Sequence, residues 1–200
     1  PFSISGAYEN AKETYSKALA LNPHNPTIHL LLARLEVSNS DLKTARVFVN
    51  QAIAEKSNYA EAHFLLAQIE VTEGNLDKAT ASLETTLLLS PQDPGLFFQL
   101  GLLKYNAKNF TGAVEAFQQA VTLVPDYANA KYFYGLSAAK LGRNDVAVAA
   151  FENLNAGNPN NPEITSVLAN LKAGKDPFAG IKAPANKPET RSTLPLKQEN

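Results

Sequence analysis

No cysteine and no methionine occur among the 200 residues. Without cysteine there is no disulfide, no thiol nucleophile and no thiolate metal site, and the compartment stays open on that count. Methionine is missing even as an initiator, so the chain reads as an excised or processed piece of a longer protein. Neither sign of charge is in excess: 18 Lys and Arg stand against 19 Asp and Glu, a net charge of −1. That balance gives no electrostatic footprint for nucleic acid or for an anionic membrane surface. No apolar run approaches the length of a membrane span, and no signal peptide is visible. Glycine-rich phosphate loops are absent too. Localisation is not legible.

What is present is a rhythm. Ala11, Ala45, Ala79, Ala113 and Ala147 stand 34 residues apart. Pro23, Pro91, Pro125 and Pro159 keep the same register, interrupted only by Ser57. Tyr15, Val49, Leu83, Phe117 and Phe151 follow each alanine by four positions. Self-similarity at one period implies stacked copies of a supersecondary unit. Within Pro94–Tyr127 the unit reads as two amphipathic helices. Pro94 suits a first helical position, and Phe97, Leu100, Gly101 and Tyr105 recur at helical spacing. After the polar turn 106–109, a second stripe runs through Phe110, Ala113, Val114, Phe117, Ala120 and Val121. Pro125 ends it. Alanine or glycine at the crossing lets two helix axes approach to roughly 8–10 Å.

These columns resemble the tetratricopeptide repeat. Its first-helix Leu-Gly pair appears as Leu32-Ala33, Leu66-Ala67, Leu100-Gly101, Tyr134-Gly135 and Leu168-Ala169. The family's aromatic column holds His29, His63, Phe97 and Lys131, and its tyrosine column holds Glu36, Glu70, Lys104 and Ala138. The resemblance covers about residues 6–174 and implies an all-α solenoid of antiparallel helix pairs. Counting copies predicts a lone second helix (6–21) and four full pairs (26–59, 60–93, 94–127 and 128–161). A capping helix (162–173) with Glu163, Ser166, Asn170 and Lys172 on its exposed side closes the count. A terminal repeat leaves an apolar face bare unless capped. At the N-terminal end, Tyr8, Ala11, Tyr15 and Ala18 want a preceding helix. That uncapped face, with Tyr8 and Tyr15, is a candidate for self-association.

The domain division is a solenoid over 1–174 and a proline-rich charged tail over 175–200. Such a tail buries too little apolar surface to offset its ordering entropy and is read as disordered or extended. One alternative has Phe178 and Ile181 folding back onto the last helices; another has Phe178, Ile181 and Leu194 anchoring the tail in the groove.

Chemistry is hard to find. His29 and His63 share a column at roughly 10 Å, as neighbouring helices pack, too far apart for one zinc. They read as rings filling helix crossings, and His24 as a solvated turn residue. Glu36 and Glu70, one repeat apart, read as solvated outer surface. Gly74 and Gly142 read as C-caps. No enzyme, cofactor or metal is implied.

What remains is a binding face. In the resembling family the residue after the aromatic column faces the concave groove, which here gives Leu30, Phe64, Phe98 and Tyr132. One turn on come Arg34, Gln68, Leu102 and Leu136, followed by Val37, Val71, Tyr105 and Ala139. The candidate contact residues are therefore Leu30, Arg34, Phe64, Gln68, Val71, Phe98, Leu102, Tyr105, Tyr132 and Leu136. They describe an apolar and aromatic groove for a peptide or helix. The carboxylate-clamp pattern of some family members is not matched, since only Arg34, Gln68, Gln99 and Asn129 are offered. The run from Asn170 through Gly174, Asp176, Pro177 and Phe178 also resembles the ends of repeat regions in bacterial membrane proteins related to O-antigen ligases and glycan polymerases. That resemblance implies an alternative, a C-terminal appendage of a larger membrane protein. The partner expected in either case is protein or peptide, with no nucleic acid and no direct membrane contact by these residues.

Overall fold

The start signals expected from the sequence sit where helices begin. The computed structural model describes residues 4–181, and all regular elements among them are helices. In chain order they are α1 (Ile4–Leu21), α2 (Pro26–Ser38), α3 (Leu42–Glu55), α4 (Ala60–Thr72) and α5 (Leu76–Leu89). They continue with α6 (Pro94–Asn106), α7 (Phe110–Leu123), α8 (Ala128–Lys140), α9 (Asn144–Gly157) and α10 (Pro162–Lys172). The chain divides between Pro91 and Gln92 into two compact units: α1–α5 belong to the first, α6–α10 to the second. In each unit a helix packs against its neighbours in sequence, and first helices also touch one another, α2 with α4 and α6 with α8.

Pro26, Pro94 and Pro162 occupy the first helical turn, where a missing amide hydrogen costs nothing. The preceding Asn25, Asp93 and Asn161 each accept two backbone N–H bonds, at 2.8–3.3 Å. Second helices end in extended residues, Lys56, Ser90, Val124 and Asn158, with φ between −131 and −142°. Three of these precede a proline, which excludes helical geometry there.

First helices end differently. Ser40, Gly74, Lys108 and Gly142, again 34 apart, adopt positive φ of 62, 79, 60 and 72°. The amide of the next residue reaches back to the carbonyl five residues earlier, as in Asp41 N–H to Glu36 O at 2.9 Å and Asn75 N–H to Glu70 O at 2.8 Å. This double-bonded C-cap suits glycine. Two repeats use glycine and two do not.

Packing follows the alanine ladder. Ala45, Ala79, Ala113 and Ala147 are wholly buried, and the large residue four positions on fits against the small residue of its own first helix. A Cβ on Gly101 would lie 2.4–2.8 Å from the Phe117 ring, and one on Gly135 2.8–2.9 Å from the Phe151 ring. Where the first helix has alanine, Ala33 or Ala67, the opposing residue is Val49 or Leu83. Lost knob volume is exchanged for a methyl group. The first unit's core is mostly aliphatic, with Leu30, Ala33, Val49, Leu65 and Ile69. The second is aromatic: Phe98 lies 5.1–6.0 Å from the rings of Tyr127, Phe117 and Phe133.

Past α10 the chain turns at Gly174, φ 66°. Phe178 and Ile181 then pack against the second unit's core, and Pro177 is buried. The Asn170 amide donates to the carbonyls of Pro177 (3.0 Å) and Ala179 (2.8 Å). Leu194 lies outside the described residues.

Two stability outcomes follow. Ser40→Gly and Lys108→Gly should each raise unfolding stability by about 1 kcal/mol, the cost of a left-handed L-residue, measured by chemical denaturation. Gly101→Ala should cost about 1–2 kcal/mol, overpacking less the helix gain. Combined with Phe117→Leu it should cost less than the two separate losses summed, as a double-mutant cycle would read.

Candidate interaction faces

The ten candidate contact residues separate by burial. Leu30, Phe98, Tyr105, Tyr132 and Leu136 are at most 6% exposed. They are core, which corrects the expectation that they line an open groove. The reason is local: in the second unit α6 meets α8, and Phe98 packs there on Phe133 at 6.0 Å. Tyr132 sits 5.4 Å from Phe133 and 5.3 Å from Phe151, and its hydroxyl donates to Glu163 of α10. Tyr105 packs edge-on against Phe110 at 5.3 Å and Phe133 at 5.8 Å. Phe64 and Leu102 are half-buried, and Arg34, Gln68 and Val71 are exposed. Of the amide pair, Gln99 is exposed and Asn129 buried.

The accessible first-helix surface is thus more polar than its sequence columns suggest. In the first unit it carries Arg34, Gln68 and Val71 around the edge of Phe64. In the second unit Leu102 contributes, and at the far end Asn170 occupies the same column, two repeats beyond Leu102. There the column already holds a chain segment: Asn170 grips the return turn through main-chain carbonyls, and Phe178 N–H caps on Asp176 at 2.9 Å. The run Asn170–Phe178 therefore has a local structural task, locking the turn after α10.

Glu36 and Glu70 overturn their reading as solvated surface. They are 0% and 3% exposed. Tyr8 donates its hydroxyl to Glu36 at 2.8 Å, and Lys12 lies 3.0 Å from the other carboxylate oxygen. Arg46 bridges Glu70 and Glu73, while Asn75 donates to Glu70 at 2.9 Å. Each acid thus pairs with a cation 24 residues earlier, on the preceding repeat's second helix. Lys12 and Arg46 are themselves 34 apart. The signal was present as two parallel columns of opposite charge. The next pairs in register, Thr80 with Lys104 and Val114 with Ala138, carry no such complement.

These contacts shift protonation. The Arg46 hydrogen bond holds the Glu70 carboxyl below its usual 4.5, against the opposing effect of burial. Lys12 is raised by its bonds to Tyr8 and then Glu36. His24 is raised by its 2.8 Å contact with Glu55. Burial lowers His29, which stacks on Phe48 at 6.4 Å. His63 is half-buried, its Nε2 2.8 Å from the Ser57 carbonyl. Among the described residues, no group of three His, Asp or Glu could hold a metal ion. Nor is any helix among them long and apolar enough to cross a membrane.

Models of the tetratricopeptide repeat match residues 4–51, 36–97 and 98–162. The chain belongs to the tetratricopeptide repeat family. It is similar to the human protein O-mannosyl-transferase TMTC1, 32% identical over 130 residues that make up 63% of this chain and 15% of that protein. The chain therefore spans about 15% of that relative's length. Among solved structures, it superimposes on YrrB, described as a repeat protein with an unusual peptide-binding site. That match has a TM-score of 0.71 and 22% identity, covering 80% of this chain and 82% of YrrB. MamA matches with a TM-score of 0.67 and 21% identity over 75% of this chain and 88% of its own. PilF of Pseudomonas aeruginosa matches with 0.65 and 22% over 86% and 79%. At these identities the structural matches establish the fold, the all-α solenoid class of repeated helix pairs.

A buried carboxylate with a depressed pKa contributes stability that is full above its unfolded value and is lost as pH falls through the folded one. Between pH 6 and pH 4 the native chain should therefore lose more stability than Glu70→Gln, by denaturant midpoints at both pH values. Arg46→Ala should cost about 3 kcal/mol at neutral pH, because it strands the buried acid.

Proposed function

We propose that the chain is a non-catalytic protein-interaction scaffold whose first helices receive an extended peptide or a partner helix. The observation that supports this most is the hold of Asn170 on Pro177 and Ala179. A polar side chain in the column Arg34, Gln68, Leu102, Leu136 and Asn170 binds a passing chain through its carbonyls. Gln68 and Arg34 present donors from that column with nothing described over them. Phe64, Val71 and Leu102 add apolar edges beside them. Leu30, Phe98, Tyr105, Tyr132 and Leu136 hold the helices that carry these groups. The peptide-binding description of YrrB is in keeping with this reading, and the net charge of −1 favours protein partners over nucleic acid.

A second reading makes these repeats an appendage of a larger, membrane-bound protein. It draws on the similarity to a transferase of which the chain matches only a small share, and on the resemblance of Asn170–Phe178 to O-antigen ligase-like repeat ends. Upstream gene sequence bears on it directly: several apolar runs of about 20 residues favour the appendage, and their absence removes it.

Selection of randomly displayed peptides against the chain tests the scaffold. Peptides recovered should lose about 1 kcal/mol of binding, roughly fivefold in Kd, on Gln68→Ala and again on Arg34→Ala. Both residues are exposed, so folding should be unaffected. Selected peptides indifferent to Arg34, Phe64 and Gln68 would discard this face.

A further inference from the structure

Residues 92–181 of the second unit hold seven Lys and Arg against seven Asp and Glu. The two signs are not mixed. Lys104, Lys140 and Lys172 lie in the last turns of α6, α8 and α10. Lys108, Arg143 and Lys175 lie in the turns that follow those helices. Among the described residues of this unit, only Lys131 stands elsewhere. α6 packs on α8, and α9 packs on both α8 and α10, so the three turns form one edge. Asp93 and Asp126 precede α6 and α8 and mark the opposite edge. On the basic edge the acids are Asp145 and Asp176, the latter holding the Phe178 N–H at 2.9 Å.

A cation at the end of a helix complements the macrodipole, which accounts for Lys104, Lys140 and Lys172 without further purpose. The turn residues are different, because two of them act against local stability. Lys108 has φ of 60°, where glycine stands in two of the other three repeats. The strain is about 1 kcal/mol. Arg143 is the N-cap of α9 and makes no capping bond. Its counterparts are Asp41, Asn75 and Asn109, of which Asp41 and Asn109 accept an amide hydrogen at 3.0 Å. A guanidinium can neither accept that hydrogen nor suit the positive end of a helix. Both side chains are exposed, as are Lys140 and Lys175. Among the described residues, none of these four pairs with an acid or makes a side-chain hydrogen bond. Lys172, by contrast, is engaged by Glu152 at 2.7 Å. Strain and an absent cap are thus accepted for charges that hold nothing together within the fold.

We propose that this edge of the second unit docks an extended acidic peptide segment of a partner protein. The edge is made of turns and is separate from the first-helix face, so it stands whether or not that face binds. Neighbouring helices pack roughly 8–10 Å apart, and three successive turns therefore span about 20 Å. An extended chain advances about 3.3 Å per residue. A carboxylate at every third residue then meets one turn after another. Nucleic acid is the poorer match, because its affinity rests on many phosphate contacts. Four free cations on a unit of zero net charge offer few.

Fluorescence anisotropy of a labelled peptide with glutamate at every third position, titrated with the full chain, reads the contact. The peptide should bind, should weaken as salt rises, and should lose binding when glutamine replaces its glutamates. Lys108→Gly and Arg143→Asn use residues that other repeats carry at those positions. Each should weaken binding about threefold, and the pair about tenfold. Their unfolding midpoints should equal or exceed the native one, which separates lost binding from lost folding. Gln68→Ala, on the first-helix face, should leave the affinity unchanged; a loss there would move the peptide to that face and overturn the proposal. Equal affinity for the glutamine peptide, or native affinity in the double variant, overturns it as well. Tighter binding of a DNA duplex or of phosphatidylserine vesicles than of the acidic peptide assigns the edge to those surfaces and overturns it too.

Discussion

The structure depends on one close approach, repeated. Wherever a second helix crosses its own first helix, an alanine with no exposed surface sits beside a knob whose size is matched to the residue opposite. Glycine admits a phenylalanine ring; alanine admits valine or leucine. Protein interiors have no slack for a misplaced methyl group, so the crossing sets the distance between axes and with it the direction of every outward side chain. The caps serve the same end. A proline fixes how a first helix starts, and a left-handed residue turns the chain sharply enough for the second helix to come back onto it.

Given that framework, the two units fill their interiors by opposite means. The second packs rings, with Phe98, Phe117 and Phe133 in mutual contact and Tyr132 joining Phe133 to Phe151. The first has the smaller knobs and places acids where the family has tyrosine. A buried carboxylate is costly unless paired and hydrogen-bonded. Here each one meets a cation from the preceding repeat, and the pairs add orientation to an aliphatic core that alone specifies little. Tyr8 also supplies, from a different helix, a phenol at the position where the tyrosine column lost its own.

Helix pairing, order and most boundaries were legible in the sequence, because Pro26, Pro94, Pro162, Gly74 and Gly142 act locally and need no tertiary information. Ser40 and Lys108 were not, since nothing in either residue type announces positive φ; only their register with the two glycines does. The binding face was half legible. Both stripes of a first helix are apolar, and adjacent residues differ by only about 100° around the axis. Sequence columns cannot say which stripe the next first helix will cover. That contact claimed Phe98 and Tyr132 and left Gln68 and Arg34 outside. The burial of Glu36 and Glu70 was hidden for a related reason: an acid looks solvated until its cation, one helix earlier in the chain, is placed beside it.

The loss of the rings from the accessible face changes what kind of recognition the surface can support. Accessible aromatic anchors would have selected particular side chains through shape. On the proposed scaffold reading, exposed amide and guanidinium donors beside small apolar edges take main-chain carbonyls, which every peptide has. Such contacts are individually modest, so useful affinity must come from several repeats acting on one extended partner. The return turn at Asn170 illustrates the logic on the chain itself. One amide holds two carbonyls, while the apolar side chains Phe178 and Ile181 settle against whatever core edge lies within reach.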